Sequence, residues 1–165
     1  MKTNFSKIVL LLAAISIGLT AGIFFAWAAS VVPGLGKLND LAYLEAMQSI
    51  NREIQNPFFF SCFIGAVFLL PLATFMVYSA PVIKRFWLLL AASFIYIIGV
   101  FGVTVAFNVP LNNMLEAIDL KAADAFQLAA ARETFEPKWN FFNLVRAWLS
   151  ALALILTISA MVSDD

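Results

Sequence analysis

Four stretches of this chain run on without charge for longer than a bilayer is thick. Ile8 to Val32, Phe58 to Ile83 and Phe86 to Val109 carry no charged residue, and Phe141 to Val162 carries only Arg146. Each exceeds the about 20 residues that a helix needs to cross the hydrocarbon core. The pattern predicts an all-α integral membrane bundle of four transmembrane helices, at about 8–32, 58–80, 86–109 and 139–162. Together they form a single membrane domain over residues 1–165.

The first run has the basic start of a signal peptide, Lys2 and Lys7, and Ala26-Trp27-Ala28 resembles a cleavage site. Its apolar stretch is too long for one, since a signal core has about 7–15 residues. Ala14, Gly18, Gly22, Ala26 and Ser30 recur every four residues. Such a ladder suits a retained helix packed closely on a neighbour. Its Gly18/Gly22 face is a candidate surface for a homo-oligomer.

Between the runs, charge sets the orientation. Lys2 and Lys7 precede the first helix, and Lys84 and Arg85 follow Pro81 in the short turn between the second and third. Segments rich in Lys and Arg stay cytoplasmic, so both termini are expected inside, in the cell (inner or plasma) membrane. The longer connections, Gly34 to Pro57 and Pro110 to Asn140, are net acidic and fall outside.

Both outer loops carry short amphipathic helices. Asp40 is placed to cap one over Leu41 to Ile50, with Leu41, Leu44, Met47 and Ile50 on its apolar face. In the other loop Leu111, Leu115 and Ile118 have helical spacing, followed by an alanine-rich stretch from Ala122 to Ala131. Pro137 suits the first turn of the fourth helix, and Pro71 is a candidate kink in the second.

Composition narrows the chemistry. The chain is 63% hydrophobic and 12% charged, and its formal net charge of zero offers no patch to nucleic acid. With no histidine and one cysteine, Cys62, it has no internal disulfide and lacks the ligands of the usual zinc, copper, iron–sulfur or bis-histidine haem sites. No metal and no cofactor is expected.

One polar stripe interrupts the apolar pattern. Trp139, Asn143, Arg146 and Ser150 are spaced by four, three and four, on one face of the fourth helix. An arginine within the hydrocarbon is costly and marks a functional site by default. Asparagines gather at the same depth: Asn51 and Asn56 lead into the second helix, Asn108, Asn112 and Asn113 follow the third, and Asn140 and Asn143 open the fourth. Two readings compete. Asparagine favours caps and turns, Arg146 can snorkel to the headgroups, and Trp139 can belong to an interfacial belt. Alternatively these groups line a pocket at the outer end, with Glu53 or Glu116 as counter-ion to Arg146.

Four segments carry a family resemblance. They are Phe24-Phe25-Ala26-Trp27 with Val32-Pro33-Gly34-Leu35; Met47-Gln48-Ser49-Ile50-Asn51 with Asn56-Pro57; Asn108-Val109-Pro110-Leu111-Asn112-Asn113; and Trp139-Asn140-Phe141-Phe142-Asn143-Leu144-Val145-Arg146. Together they resemble the anthrone oxygenase-like family of small membrane proteins, over nearly the whole chain. The resemblance implies a four-helix membrane bundle. Fungal members oxidise an anthrone to an anthraquinone with molecular oxygen and no recognised cofactor, and most bacterial members have no assigned activity.

Such chemistry needs an apolar slot, a proton acceptor and donors around a developing oxyanion. Arg146, Asn143 and Asn112 are the candidate catalytic donors. Trp139, Asn108, Asn51, Asn56 and Trp27 are the candidate substrate-binding residues. The base is missing, since only Glu53, Glu116 or a held water is at hand. Three classes therefore stand: a cofactor-independent oxygenase on a hydrophobic aromatic or quinone-like substrate; a non-catalytic module that binds lipid or a small molecule, or serves a larger complex; and a transporter. The second predicts Arg146 paired with a loop carboxylate and no pocket. The third lacks an intramembrane acid.

Overall fold

A computed structural model describes the backbone of residues 2–78 and 84–163 and the side chains from residue 4 onward. Residues 79–83, the end of the second apolar run, lie outside the described residues, while Lys84 and Arg85, expected in the turn after Pro81, open the helix Lys84–Phe94. Among the described residues every regular element is helical. Four helical spans, Asn4–Leu35, Pro57–Val77, Lys84–Glu116 and Ala125–Met161, are long and apolar enough to cross a membrane. This is a multi-pass membrane protein.

The first span comprises α1 (Lys2–Ala26), a π-helical stretch (Trp27–Val31) and α2 (Val32–Leu35). After a short link comes α3 (Asp40–Glu53), and then the second span, α4 (Pro57–Val77). The third span begins as α5 (Lys84–Phe94), widens into π-helical stretches at Ile95–Gly102 and Thr104–Asn108, and ends as α6 (Val109–Glu116). The fourth is α7 (Ala125–Met161). α1 packs on α4 and α7, and α5 packs on the same two helices, so the spans close a ring in which each touches its two neighbours.

Two prolines account for two of the wide turns. Pro33 and Pro110 each stand just past a π-helical stretch, and the preceding amides, Val32 and Val109, reach back five residues to the carbonyls of Trp27 and Thr104. A proline has no N–H to give and its ring crowds the carbonyl four residues back, so the chain relaxes into a wider turn. Trp27 opens one such stretch and Asn108 closes the other.

α7 departs from the expected loop and helix. It is one helix of 37 residues, about 55 Å at 1.5 Å per residue, far longer than the hydrocarbon core is thick. Its first turns therefore project beyond the membrane, and the expected loop shrinks to 117–124. Asp124 accepts from the Gln127 amide at 2.8 Å and the Gln127 side chain accepts from the Asp124 amide at 2.9 Å, a complete capping box. The alanine-rich stretch belongs to this helix, as its high helix propensity favours. Pro137 lies inside α7 rather than at its start, with its ring on the exposed side.

α3 roofs the end of the bundle at which α7 begins. Its cap is Asn39, not Asp40: Asn39 has an extended backbone and its side chain accepts from the Ala42 amide at 2.9 Å. Its buried face is Tyr43, Leu44, Met47 and Asn51; the expected Leu41 is exposed, because a strict interval of three drifts round a helix of 3.6 residues per turn. Polar ties hold the roof down. Gln48 Nε2 donates to the carbonyls of Leu115 and Ile118 at 2.9 and 3.1 Å, and Arg52 pairs with Glu116 at 2.7 Å. Arg132 of α7 donates to the carbonyls of Gly36 and Leu38, pairs with Asp40 and Glu136, and lies 4.5 Å from the centre of the Tyr43 ring. Burial, reinforced by Glu136, pushes the Tyr43 phenol above its ordinary range, so the roof holds it neutral.

At the other end Arg85 donates to the carbonyls of Ala160 and Ser163, joining the start of the third span to the end of the fourth. The small-residue ladder of α1 is split. Gly18 contacts Leu154 of α7 at 3.9 Å from its ideal Cβ, whereas Gly22 faces open space. The tightly packed face of α1 is instead Ala13, Ile17, Thr20 and Phe24.

Candidate functional site

Beneath α3, between α1, α4, the third span and α7, lies a cavity of about 280 Å³, just below the usual range for small-molecule sites. Its walls are aromatic. Phe24, Trp27, Phe59, Phe63, Phe101 and Trp139 line it, with the Trp27 and Trp139 rings 5.3 Å apart and Phe59 stacked on Phe63 at 5.1 Å. Asn51 of α3 and Ile54, which follows its last turn, close it from above.

The stripe on α7 faces inward as its spacing requires: Trp139, Asn143, Arg146 and Ser150 are all buried. Arg146 is 5% exposed and does not snorkel. Its guanidinium lies 4.4 Å from the centre of the Phe24 ring and 5.6 Å from that of Trp139. Nη1 donates to Thr104 Oγ1 and Nη2 to Asn143 Oδ1, both at 3.2 Å. Two aromatic faces and two neutral oxygens are weak company for a desolvated charge. Neither expected counter-ion supplies more. Glu116 is taken by Arg52, Glu53 does not line the cavity, and no Asp or Glu is among the lining residues.

Among the described residues five buried side-chain polar atoms have no hydrogen-bond partner: Trp27 Nε1, Asn51 Nδ2, Asn108 Oδ1, Asn143 Nδ2 and Arg146 Nε. All five residues line this one cavity. An unmet buried polar group costs about 1–3 kcal/mol, and native proteins keep few of them. Scattered through the fold, five would be five defects. Here all five belong to residues gathered around one aromatic space. The set is rich in donors, and the amides can present either end.

Of the candidate catalytic residues, Arg146 and Asn143 stand together with unmet N–H groups. Asn112 also lines the cavity, but its side-chain oxygen is already engaged. Its Oδ1 accepts from Trp139 Nε1 at 2.7 Å and fixes the indole. Among the candidate binding residues, Trp27, Asn51, Asn108 and Trp139 line the cavity. Asn108 is 1% exposed and its Nδ2 donates to the Trp139 carbonyl at 3.4 Å. Asn56 is not brought there. It caps α4, accepting from the Phe59 amide at 3.0 Å and donating to the Glu53 carbonyl at 2.7 Å, the use that asparagine at a helix start favours. The sequence reading missed Thr104, Phe63 and Phe101 as cavity residues. The only signal for Thr104 was its place one wide turn before Pro110.

A polar depression of about 370 Å³ on the outer side of the roof, between Gln48, Arg52, Glu116 and Lys121, is open to solvent and separate from the aromatic cavity.

The architecture defines a class: a four-span membrane bundle around an aromatic cavity that is lined by a buried arginine and, among the described residues, by no Asp or Glu. The sequence profile of anthrone oxygenase matches residues 58–156, more than half of the chain. This protein belongs to the anthrone oxygenase family. No curated protein and no solved structure matches it.

Proposed function

We propose that this protein is a cofactor-independent oxygenase that converts a hydrophobic, enolisable aromatic ketone of the anthrone type into the corresponding quinone. The observation that carries the proposal is the convergence of the unmet polar atoms, Arg146 Nε among them, on a single aromatic cavity. Membership of the family supports the reaction class.

The planar substrate lies between the aromatic walls, with its carbonyl oxygen toward Arg146 Nε–H and the Asn143 amide. Loss of a methylene proton to water gives an enolate whose charge falls on that oxygen. Each hydrogen bond to the charged oxygen is worth about 1.5–3 kcal/mol, so each strengthens the carbon acid by about one to two pK units. Electrostatic stabilisation therefore does the work that a carboxylate base would do elsewhere. The enolate passes one electron to dioxygen, and the carbon radical and superoxide combine to a peroxide at the former methylene carbon. Protonation of the peroxide, loss of the second hydrogen as a proton and cleavage of the O–O bond release hydroxide and leave a carbonyl. Proton and hydroxide make water. In sum, anthrone and dioxygen give anthraquinone and water.

Purified protein in lipid nanodiscs is mixed with anthrone in aerated buffer, and quinone formation is followed by absorbance. Turnover above the protein-free rate, lost in Asn143→Leu, supports the proposal. A wild-type rate equal to the protein-free rate ends it.

A second reading, a binding module for the same kind of ligand, draws on the lack of any Asp or Glu in the lining. It predicts anthrone binding without turnover. We further propose that the end marked by Lys7, Lys84 and Arg85 is cytoplasmic and that the protein resides in the plasma membrane. Reporter fusions at the C-terminus and within 117–124 test the sidedness.

A further inference from the structure

The roof and the flank of the cavity are built differently. The water-facing end is closed by α3, which is tied to α6 through Gln48 and the Arg52–Glu116 pair and to α7 through Arg132. On the flank, α4 packs densely along α5, thinly along Ile95–Gly102, and scarcely at all on Thr104–Asn108. The third span leans away from α4 at that level and toward α7. Gly99 packs directly on Leu149 of α7, whose Cδ1 would stand 2.7 Å from a Cβ at that position and would have to turn aside for one. The widened turns move the same segment off a straight path.

The residues at this divergence are apolar and face outward. Phe60 and Ile64 on α4 are 39% and 38% exposed, and Val105 and Val109 on the third span are 52% and 40% exposed. All four also line the cavity. They lie within the second and third apolar spans, where apolar, exposed side chains suit a lipid-facing surface.

We infer that the cavity opens sideways into the bilayer, through a gap between the second and third spans edged by Phe60, Ile64, Val105 and Val109, and that its guest is a lipid-dissolved aromatic that enters there. The inference draws on the proposed function only for the identity of the guest. A roof tied by charged and amide groups resists opening, while an apolar gap asks a hydrophobic molecule to shed no water in passing from lipid to cavity. The donors lie inside, where a ketone leaving hydrocarbon first meets hydrogen bonds.

The test needs no turnover. Trp27 and Trp139 line the cavity, whereas Trp87 and Trp148 are exposed on the lipid side and are removed as Trp87→Phe/Trp148→Phe. The remaining emission is measured in liposomes of phosphatidylcholine with brominated acyl chains, and separately with aqueous acrylamide. Brominated chains are expected to quench strongly and acrylamide weakly. Adding Ile64→Phe/Val105→Phe narrows the gap and is expected to remove more than half of the bromolipid quenching; either single variant serves if the pair does not fold. Loosening the roof with Gln48→Ala/Arg52→Ala is expected to leave the bromolipid quenching unchanged. Bromolipid quenching that ignores the gap variants, or strong acrylamide quenching that grows when the roof is loosened, overturns lateral entry. Absence of anthrone turnover in the same preparation would instead count against the oxygenase proposal and leave this result intact.

Discussion

Arg146→Met separates a site residue from a structural one, because the two roles predict opposite patterns. Methionine has about the right length and no polar atom. The substitution removes a desolvated charge with no carboxylate near it and an unmet Nε–H, which relieves several kcal/mol of burial cost. Against this stand two hydrogen bonds from a charged donor, about 1.5–3 kcal/mol each, and the contacts with Phe24 and Trp139, about 2 kcal/mol when desolvated. Thr104 Oγ1 still donates to the Val100 carbonyl, whereas Asn143 Oδ1 loses its partner. The terms nearly cancel, and the stability of Arg146→Met is expected to lie within about 2 kcal/mol of wild type. Activity has no such compensation. Removing one preorganised donor to an oxyanion costs a factor of about 10²–10³ in turnover. Thermal unfolding followed by tryptophan fluorescence and initial rates of quinone formation, taken on the same nanodisc preparation, check both halves. Full activity would refute the role given to Arg146. Lost activity with a collapse in melting temperature would show that the arginine holds the bundle together and would refute the balance of terms.

Asn56→Ala removes a helix cap outside the cavity; it is expected to cost about 1 kcal/mol of stability and leave the turnover of the surviving fold unchanged, which melting and rate measurements read together. Trp139→Phe loses the indole bond to Asn112 at 2.7 Å; hydrogen exchange in α6 is expected to rise and anthrone affinity to fall, both by the equivalent of about 1 kcal/mol. Arg132→Ala cuts the ties from α7 to Gly36, Leu38 and Asp40; faster proteolysis within 36–40 is expected, with α4 unaffected, and limited proteolysis checks it.

The spans were legible because the bilayer imposes a length and a composition that few other environments do, and the inward stripe of α7 because 139, 143, 146 and 150 keep helical register. The start of α7 was obscured by Pro137, which resembles a first-turn proline although Asp124 and Gln127 already cap the helix thirteen residues upstream. Asn56 and Asn51 look alike in sequence, five residues apart in a polar link. One spends both ends of its amide on the backbone, while the other leaves Nδ2 unmet beside the cavity. That difference depends on where α3 docks. The cavity itself depends on how far the third span diverges from α4, a matter of Gly99, Leu149 and two wide turns, and no local pattern states it.

Whether this cavity carries an aromatic ketone to a quinone with dioxygen as the oxidant is tested most directly by isotopic labelling. Anthrone is oxidised under isotopically heavy dioxygen by wild-type protein in nanodiscs, and the product is analysed by mass spectrometry. Protein-dependent quinone carrying a single heavy oxygen is expected, with the other recovered in water. Quinone formed at the protein-free rate, or a new carbonyl whose oxygen comes from water, would contradict it.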